Sequence, residues 1–333
     1  MASSFSRFVF LGTSSAVPRP GFRNVSSMLL QSSCGSVSLI DCGEATQHQL
    51  MRSTIRMGHI DNILITHLHG DHCFGLFGLM HTLNMSGRTD PVNLWGPVGI
   101  NELIKTVFRL TGGWDSSFDL RINELEPAKT HQFDIKNSSN NLVASVTACP
   151  MVHRIPAFGY VFREPNQPRV LDGEKAKQLG ASGKELGQLK AGLDVTLSDG
   201  RSIQANQVTS PARPSRTVAI MQDTRDSSTS YPYMQDCDLL IHEATYEAAR
   251  QEQAIQYGHS TSVMAAEAAA AVNAKNLVLT HFSSRYSDTD DVKILKDEAE
   301  RIIPHTRVVL AEDFMSFSGH QFDELSSALK PLD

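Results

Sequence analysis

Residues 65–75 read ITHLHGDHCFG. His67, His69, Asp71 and His72 fall within six positions, between the apolar run NILIT and the stretch CFGLFGLM. The run before them reads as a buried strand and the stretch after them as a helix. Alternate side chains of an extended segment face the same way, so His67, His69 and Asp71 share a facing. His72 joins them where the chain bends at Gly70. Imidazole nitrogen and carboxylate oxygen are both zinc ligands. A lone histidine is ordinarily a core residue satisfied by the backbone; three imidazoles and a carboxylate at one strand end read as a metal site. Four such ligands cannot all hold one ion and leave a position for water. Two ions, sharing the cluster and drawing on distant residues, are expected.

The distant partners should be His or Asp at the ends of other strands. Three positions fit: His153 after VTACPMV, Asp223 after TVAIMQ, and His281 at the end of NLVLT. With the cluster they make seven ligands, the set a dinuclear hydrolytic site needs to activate a bridging water and clamp the attacking and leaving oxygens. NILITH (62–67) and NLVLTH (276–281) are nearly the same word, each an apolar run ending Thr-His. Two similar half-domains whose strands end at a common rim would leave such an echo.

Outward from the cluster, the first third is strand-rich. RFVFLG (7–12), SSMLLQS (26–32), SVSLID (36–41) and PVNLWGP read as strands; ATQHQLMRST (45–54), CFGLFGLMHTLNM (73–85) and GINELIKTVFRLTG (99–112) as helices. TVAIMQDT (217–224), CDLLIHEAT (237–245), NLVLTH and RVVLAEDFMSF (307–317) follow as strands. HSTSVMAAEAAAAVNA (259–274) is an Ala-rich helix that Ser260 or Thr261 can cap. Between them, residues 160–213 are polar and rich in Gly, Pro and Lys. They read as an arm inserted into a single domain spanning 1–333, and SPARPSR (210–216) as the linker back. A structureless insertion of that length is ordinarily functional or disordered.

The composition narrows the classes. The chain has 333 residues, 41% of them hydrophobic and 20% charged, which suits a globular protein with a sizeable core. Its five cysteines form no C-x-x-C pair, so neither a disulfide framework nor a cysteine zinc knuckle is indicated. No apolar run reaches transmembrane length, and no membrane partner is expected. The net charge of −6 gives no general attraction to nucleic acid, so RNA binding would need a local basic surface. The Ser-rich start, free of acidic residues before Asp41, slightly resembles a transit peptide, but RFVFLG leaves six residues for an address. A cytoplasmic location is expected, with a nuclear or organellar one as the alternatives.

H-x-H-x-D-H with a later His, Asp and His resembles the metallo-β-lactamase superfamily. FLGTSSAVPRPGFRNVS, LIDCGEATQHQL, HRIPAFGYVF, DTR, IHEAT, HST and LTHFSSRY together resemble the short tRNase Z family, from about residue 7 to about residue 317. The resemblance implies an α/β fold, the αββα sandwich with a protruding arm. It implies two zinc ions per chain, with manganese or iron also suited to the ligands. One ion would be held by His67, His69 and His153, the other by Asp71, His72 and His281, with Asp223 between them. The implied activity is endonucleolytic removal of the 3′ trailer from precursor tRNA. A metal-bridging hydroxide would attack the phosphodiester and leave a 3′-hydroxyl on the tRNA. Asp71 would take the proton of the attacking water, His259 would protonate the leaving oxygen, and Glu243 would orient His259. Arg23 and Asn24 in PRPGFRN would contact the acceptor end, and Arg285 a phosphate. The 160–213 segment would be a flexible arm that grips the tRNA, with six basic against four acidic residues over 163–190, Lys184 and Lys190 among them. The family's arm carries a Gly-Pro step near its tip; here Lys184 stands in place of Pro, which predicts a looser tip. The family pairs as a homodimer, and that is expected here.

Two other functions fit the same motif. A hydrolase of small thioesters, lactams, sulfate esters or phosphodiesters would use the same ligands, but has no need of an arm, HEAT or HST. A scaffold subunit with a dead site would not need the complete ligand set.

Overall fold

The structure is a computed structural model that describes residues 4–19, 21–113, 115–166, 169–211, 214–318 and 325–327. Residues 1–3, Pro20 of the PRPGFRN loop, and 167–168 and 212–213 in the expected arm and linker lie outside the described residues.

Two sheets face each other. The first begins with strands β1 (Phe5–Gly12), β2 (Ser27–Ser32), β3 (Val37–Ile40), β4 (Ile60–Leu64), β5 (Val92–Pro97) and β6 (Leu120–Leu125). The second begins with β7 (His131–Lys136), β8 (Leu142–Met151) and β9 (Ala157–Arg163). A small hairpin, β10 (Val195–Thr196) and β11 (Ser202–Ile203), stands apart. The second sheet resumes with β12 (Thr217–Met221), β13 (Leu239–Glu243), β14 (Asn276–Thr280) and β15 (Arg307–Leu310). The chain then crosses back, and β16 (Met315–Ser318) and β17 (Leu325–Ser327) extend the first sheet beside β1.

The halves repeat one plan. β3, β4, β5 and β6 run parallel in the first sheet, and β12, β13, β14 and β15 run parallel in the second. NILITH runs through β4 and NLVLTH through β14, each an inner strand of its parallel run, second in the first sheet and third in the second. Parallel strands covered on both faces read as continuous apolar runs, as these do. Alternation assigns the faces. Phe8, Phe10, Leu64, Ile220, Ile241 and Val278 meet in the core between the sheets. Val9, Leu11, Ile63 and Ile65 turn outward onto Leu76, Leu79, Met80 and Leu83 of the helix Leu76–Met85. Leu277 and Leu279 turn outward into a cluster with Ala265, Ala266, Ala269 and Leu295. The small side chains of the helix Ser262–Ala271 let it lie close to β13 and β14. The layers are therefore helix, sheet, sheet, helix.

Three expectations are corrected. RVVLAEDFMSF is two strands in different sheets, because the chain turns at Phe314, whose φ is 66°. The helix over 73–85 is two pieces, Gly70–Cys73 and Leu76–Met85, joined at Gly75. The 160–213 segment is not structureless. Tyr160 to Arg163 complete β9, and the residues beyond build a core of their own from Ala176, Ala181, Leu189, Val195, Ile203 and Val208. Lys184 opens the helix Lys184–Lys190. Proline favours the first position of a helix because its φ is already set. Lysine there forgoes that advantage, yet the helix starts at Lys184.

Candidate metal centre

The ends of the parallel strands supply the site. His67 follows β4, Asp223 follows β12 and His281 follows β14, while His153 lies in the turn between β8 and β9. In α/β sheets such carboxyl ends are where ligands bind. Asp71 and His72 lie on the short helix Gly70–Cys73. The loop after β3 backs onto that helix so closely that a Cβ on Gly43 would stand 2.3 Å from the Asp71 carbonyl oxygen.

The seven residues expected as ligands converge. Ligand atoms of His67, His69, His153 and Asp223 lie within 4.8 Å of one another, as do those of Asp71, His72 and His281. The donor chemistry calls for cations. His72 Nε2 lies 3.2 Å from His281 Nε2, and both lie 3.1 Å from Asp223 Oδ1. His72 Nδ1 is 2.7 Å from Asp41 Oδ2, and His281 Nδ1 is 3.1 Å from Thr245 Oγ1. With Nδ1–H spent on those acceptors, each ring in its neutral form presents its Nε2 lone pair. Asp223 Oδ1 is therefore a buried oxygen with no hydrogen-bond donor, facing two more lone pairs. His69 Nδ1 lies 3.0 Å from His67 Nε2 and 3.2 Å from His153 Nε2 in the other set. A metal in each set resolves the conflict, and the residues present fit two such ions.

The electrostatics agree. Burial, reinforced by His72 and His153, holds the His67 pKa well below the ordinary imidazole value, which keeps its lone pair available. Burial would raise the Asp71 pKa, but His72 and His281 hold it far below the ordinary carboxylate range. Burial opposes charge on His72, yet Asp223, Asp41 and Asp71 together pull its pKa upward. That is the signature of carboxylates awaiting positive charge.

His259 and Glu243 sit beside this centre. Glu243 is fully buried, and its Oε1 accepts the Thr224 N–H at 2.6 Å and lies 3.2 Å from His259 Nδ1. Burial works against a charged His259, but the Glu243 carboxylate raises its pKa to about 9. A third set, Asp223, His259 and His281, also closes within 4.8 Å. The nitrogen of His259 nearest Asp223, its Nδ1 at 3.7 Å, is committed to Glu243. Thr261 caps the helix Ser262–Ala271, and Ser260 instead donates to the Thr224 carbonyl at 2.5 Å.

The expected substrate contacts fare differently. Arg23 is buried, not displayed: its guanidinium donates to Thr13 Oγ1 and the Ala311 carbonyl and stacks on Phe22 and Phe282. Asn24 ties its loop to the one after β3, its Nδ2 donating to the Glu44 carbonyl. Both hold the loop in place. Arg285 is exposed over the Tyr246 ring, which lies 6.3 Å from His259. Lys184 and Lys190 are exposed on the arm.

Sequence reasoning missed four residues. A cleft of about 410 Å³ above the centre is lined by Ala16, Val17, Phe74, Arg154, Asp223 and His259 among others. Phe74 is 62% exposed in it. Arg154 makes no hydrogen bond or ion pair among the described residues, so its charge is free at the mouth. The signal for Arg154 was its place next to a ligand in HRIP. Asp41 and Thr245, which hold His72 and His281 from behind, had only the ends of LID and HEAT to mark them.

The comparisons with known proteins agree with this geometry. A family described as anti-Pycsar protein Apyc1 matches residues 6–140, the part that carries the H-x-H-x-D-H cluster. The chain is 39% identical to a ribonuclease BN of Cronobacter sakazakii, over 93% of this chain and 98% of that one. It is 41% identical to a ribonuclease Z of Gloeothece citriformis, over 95% and 98%. Among solved structures, the short form of human tRNase Z aligns with a TM-score of 0.66 and 31% identity, over 94% of this chain and 98% of that one. The metallo-β-lactamase fold protein YhfI from Bacillus subtilis shares the fold, with a TM-score of 0.64 at 17% identity, over 95% and 99%.

Proposed function

The chain belongs to the ribonuclease Z family, and on that premise we propose a two-metal reading of its chemistry. The protein is a metal-dependent endoribonuclease of tRNA 3′ processing that removes the trailer from precursor tRNA. The observation that carries the reading is the convergence of imidazole lone pairs on Asp223 Oδ1, a buried oxygen without a donor.

Two divalent ions, zinc in the first instance, would supply an activated water and neutralise charge on the phosphate. His67, His69 and His153 would hold one, Asp71, His72 and His281 the other, with Asp223 between them. Asp71 lines the cleft with Oδ2 anchored by the Ala16 N–H at 2.7 Å, so it is fixed where it can take a proton from the attacking water. His259, its Nδ1 held by Glu243, offers Nε2 to the departing 3′-oxygen of the tRNA. Arg154 and Arg285 are the uncommitted cations best placed for phosphates near the cut. The arm, with Lys184 and Lys190 exposed, supplies the reach to a tRNA body within an otherwise single-domain chain. No helix among the described residues is long and apolar enough to cross a membrane. A cytoplasmic homodimer completes the reading; light scattering of the purified protein tests the pairing.

The deciding experiment is cleavage of a 5′-labelled precursor tRNA carrying a 3′ trailer, by the parent and by Asp71→Ala, with and without chelator. One cut at the trailer junction, lost in the variant and under chelation, supports the reading. A metal-loaded parent that leaves the precursor intact while hydrolysing a small diester would replace it with a small-ester hydrolase.

A further inference from the structure

Each half of the molecule buries one carboxylate behind the metal centre, and each carboxylate reaches a ligand imidazole through a threonine hydroxyl. In the first half, Thr66 Oγ1 lies 3.0 Å from both carboxylate oxygens of Asp41 and 3.1 Å from His67 Nδ1. In the second, Thr245 Oγ1 lies 2.5 Å from Glu243 Oε2 and 3.1 Å from His281 Nδ1. Both threonines are buried. A hydroxyl has one proton to give and two lone pairs, whereas an ionised carboxylate only accepts. The hydroxyl proton therefore goes to the carboxylate, and the oxygen accepts from the imidazole Nδ1–H. That fixes the tautomer with the Nε2 lone pair toward the metal.

The echo between NILITH and NLVLTH would name a different residue. Thr280 precedes His281 as Thr66 precedes His67. Yet Thr280 Oγ1 is buried without a hydrogen-bond partner. The backbone explains the difference. His281 has a φ of 60°, the left-handed region, and His67 does not. That turn gives the imidazole of His281 to Thr245, beyond the end of the neighbouring strand β13.

We infer that Thr66 and Thr245, and not Thr280, are positioning residues of the metal centre, each relaying a buried carboxylate onto one ligand of a different subsite. Thr66 serves the subsite of His67, His69 and His153; Thr245 serves that of Asp71, His72 and His281. The inference rests on the two-metal reading above. It also gives Glu243 two tasks, since the same carboxylate orients His259 directly.

The test compares Thr66→Val, Thr245→Val and Thr280→Val, which remove the hydroxyl and keep the shape, with Thr66→Ser and Thr245→Ser, which keep it. Zinc per chain and zinc affinity are read by competition with a chromogenic chelator. Melting of the metal-stripped proteins checks the fold. The parent should hold two ions per chain; a parent holding fewer overturns the two-metal reading itself, before any variant is considered. Loss of an outer partner of a ligand costs about 10–100-fold in metal affinity. Thr66→Val and Thr245→Val should each weaken one ion by that factor and leave the other as in the parent, and the serine variants should restore it. On a His153→Ala background only Thr245→Val should weaken the remaining ion. Thr280→Val should hold both ions as the parent does. Where a valine variant does not fold, alanine at the same position carries the same expectation. Parental affinity for both ions in Thr66→Val or Thr245→Val overturns the inference. So does a Thr280→Val that matches Thr245→Val, or equal weakening of both ions by one substitution.

Discussion

Glu243 Oε1 stands 3.2 Å from His259 Nδ1, inside a protein layer that leaves the carboxylate no contact with water. A buried carboxylate behind an exposed-edge imidazole favours the charged ring, which suits a proton donor. General acid catalysis contributes about 10²–10⁴-fold. His259→Ala should therefore lower kcat for trailer removal by about that factor. On bis(4-nitrophenyl) phosphate, whose leaving phenolate needs no proton, the loss should be much smaller. Parallel kinetics on the two substrates check this; equal losses would assign His259 to binding or architecture instead.

Asp223 touches both ligand sets, with Oδ2 3.5 Å from His67 Nε2 and Oδ1 3.1 Å from His281 Nε2. Asp223→Ala should bind less than one ion per chain, and His153→Ala should still bind one. Ligand present at about 1,000 times its Kd stabilises a fold by about 4 kcal/mol, so chelation should lower the parent's Tm clearly. The variant should melt near the chelated parent and respond little to chelator. Metal analysis and thermal melts decide; a variant that keeps both ions would remove Asp223 from the shared position.

How much of this was legible in the sequence differs residue by residue. The seven converging His and Asp residues were, because their types recur at the ends of apolar runs, where a strand must hand its last side chains to the rim. The echo of NILITH in NLVLTH marks an inner parallel strand in each sheet, second in one run and third in the other. It could not predict that Thr245 displaces Thr280, because nothing in the two words marks the left-handed φ of His281. Arg23 was misread for a similar reason. PRPGFRN has the composition of a surface turn, but Phe282 and the Ala311 carbonyl, far along the chain, enclose the guanidinium. The arm's core escaped notice because its few Ala, Leu and Val side chains are spaced among Gly and Lys. Only the folded arm brings them together.

Asp313 offers a test away from the metals. It is largely enclosed, and burial raises its pKa to about 6 despite the donors around it: Thr13 Oγ1 at 2.9 Å and the Asn24 N–H at 2.7 Å. An unfolded aspartate titrates at about 3.9. Between those values the folded state binds the proton and the unfolded state does not. The Asp313 contribution therefore moves stability upward as pH falls from about 6 toward 4, and is unfavourable above 6. Denaturant unfolding of metal-stripped parent and Asp313→Asn, at pH 7 and pH 5, isolates it. The parent should gain on the variant at pH 5. A parent that loses ground instead would mean the donors keep Asp313 ionised throughout.

At the base of the arm, Arg216 and Glu164 form a buried pair that also ties down the first strand. Arg216 Nε lies 3.0 Å from Glu164 Oε1, Arg216 Nη2 donates to the Phe5 carbonyl at 2.6 Å, and the Phe5 N–H donates to Glu164 Oε2 at 2.9 Å. The Glu164 N–H donates to the Arg216 carbonyl at 3.0 Å, so the two stems meet where they leave the sheet. Removing one partner of a buried pair costs about 3–5 kcal/mol. Arg216→Met should lose stability on that scale. Arg216→Met combined with Glu164→Gln should recover part of it, since the buried carboxylate charge is then removed together with its cation. Urea unfolding of the three proteins measures both effects. A double variant less stable than Arg216→Met alone would mean that Glu164 is held mainly by its bond to Phe5, and that the pair does not fasten the arm.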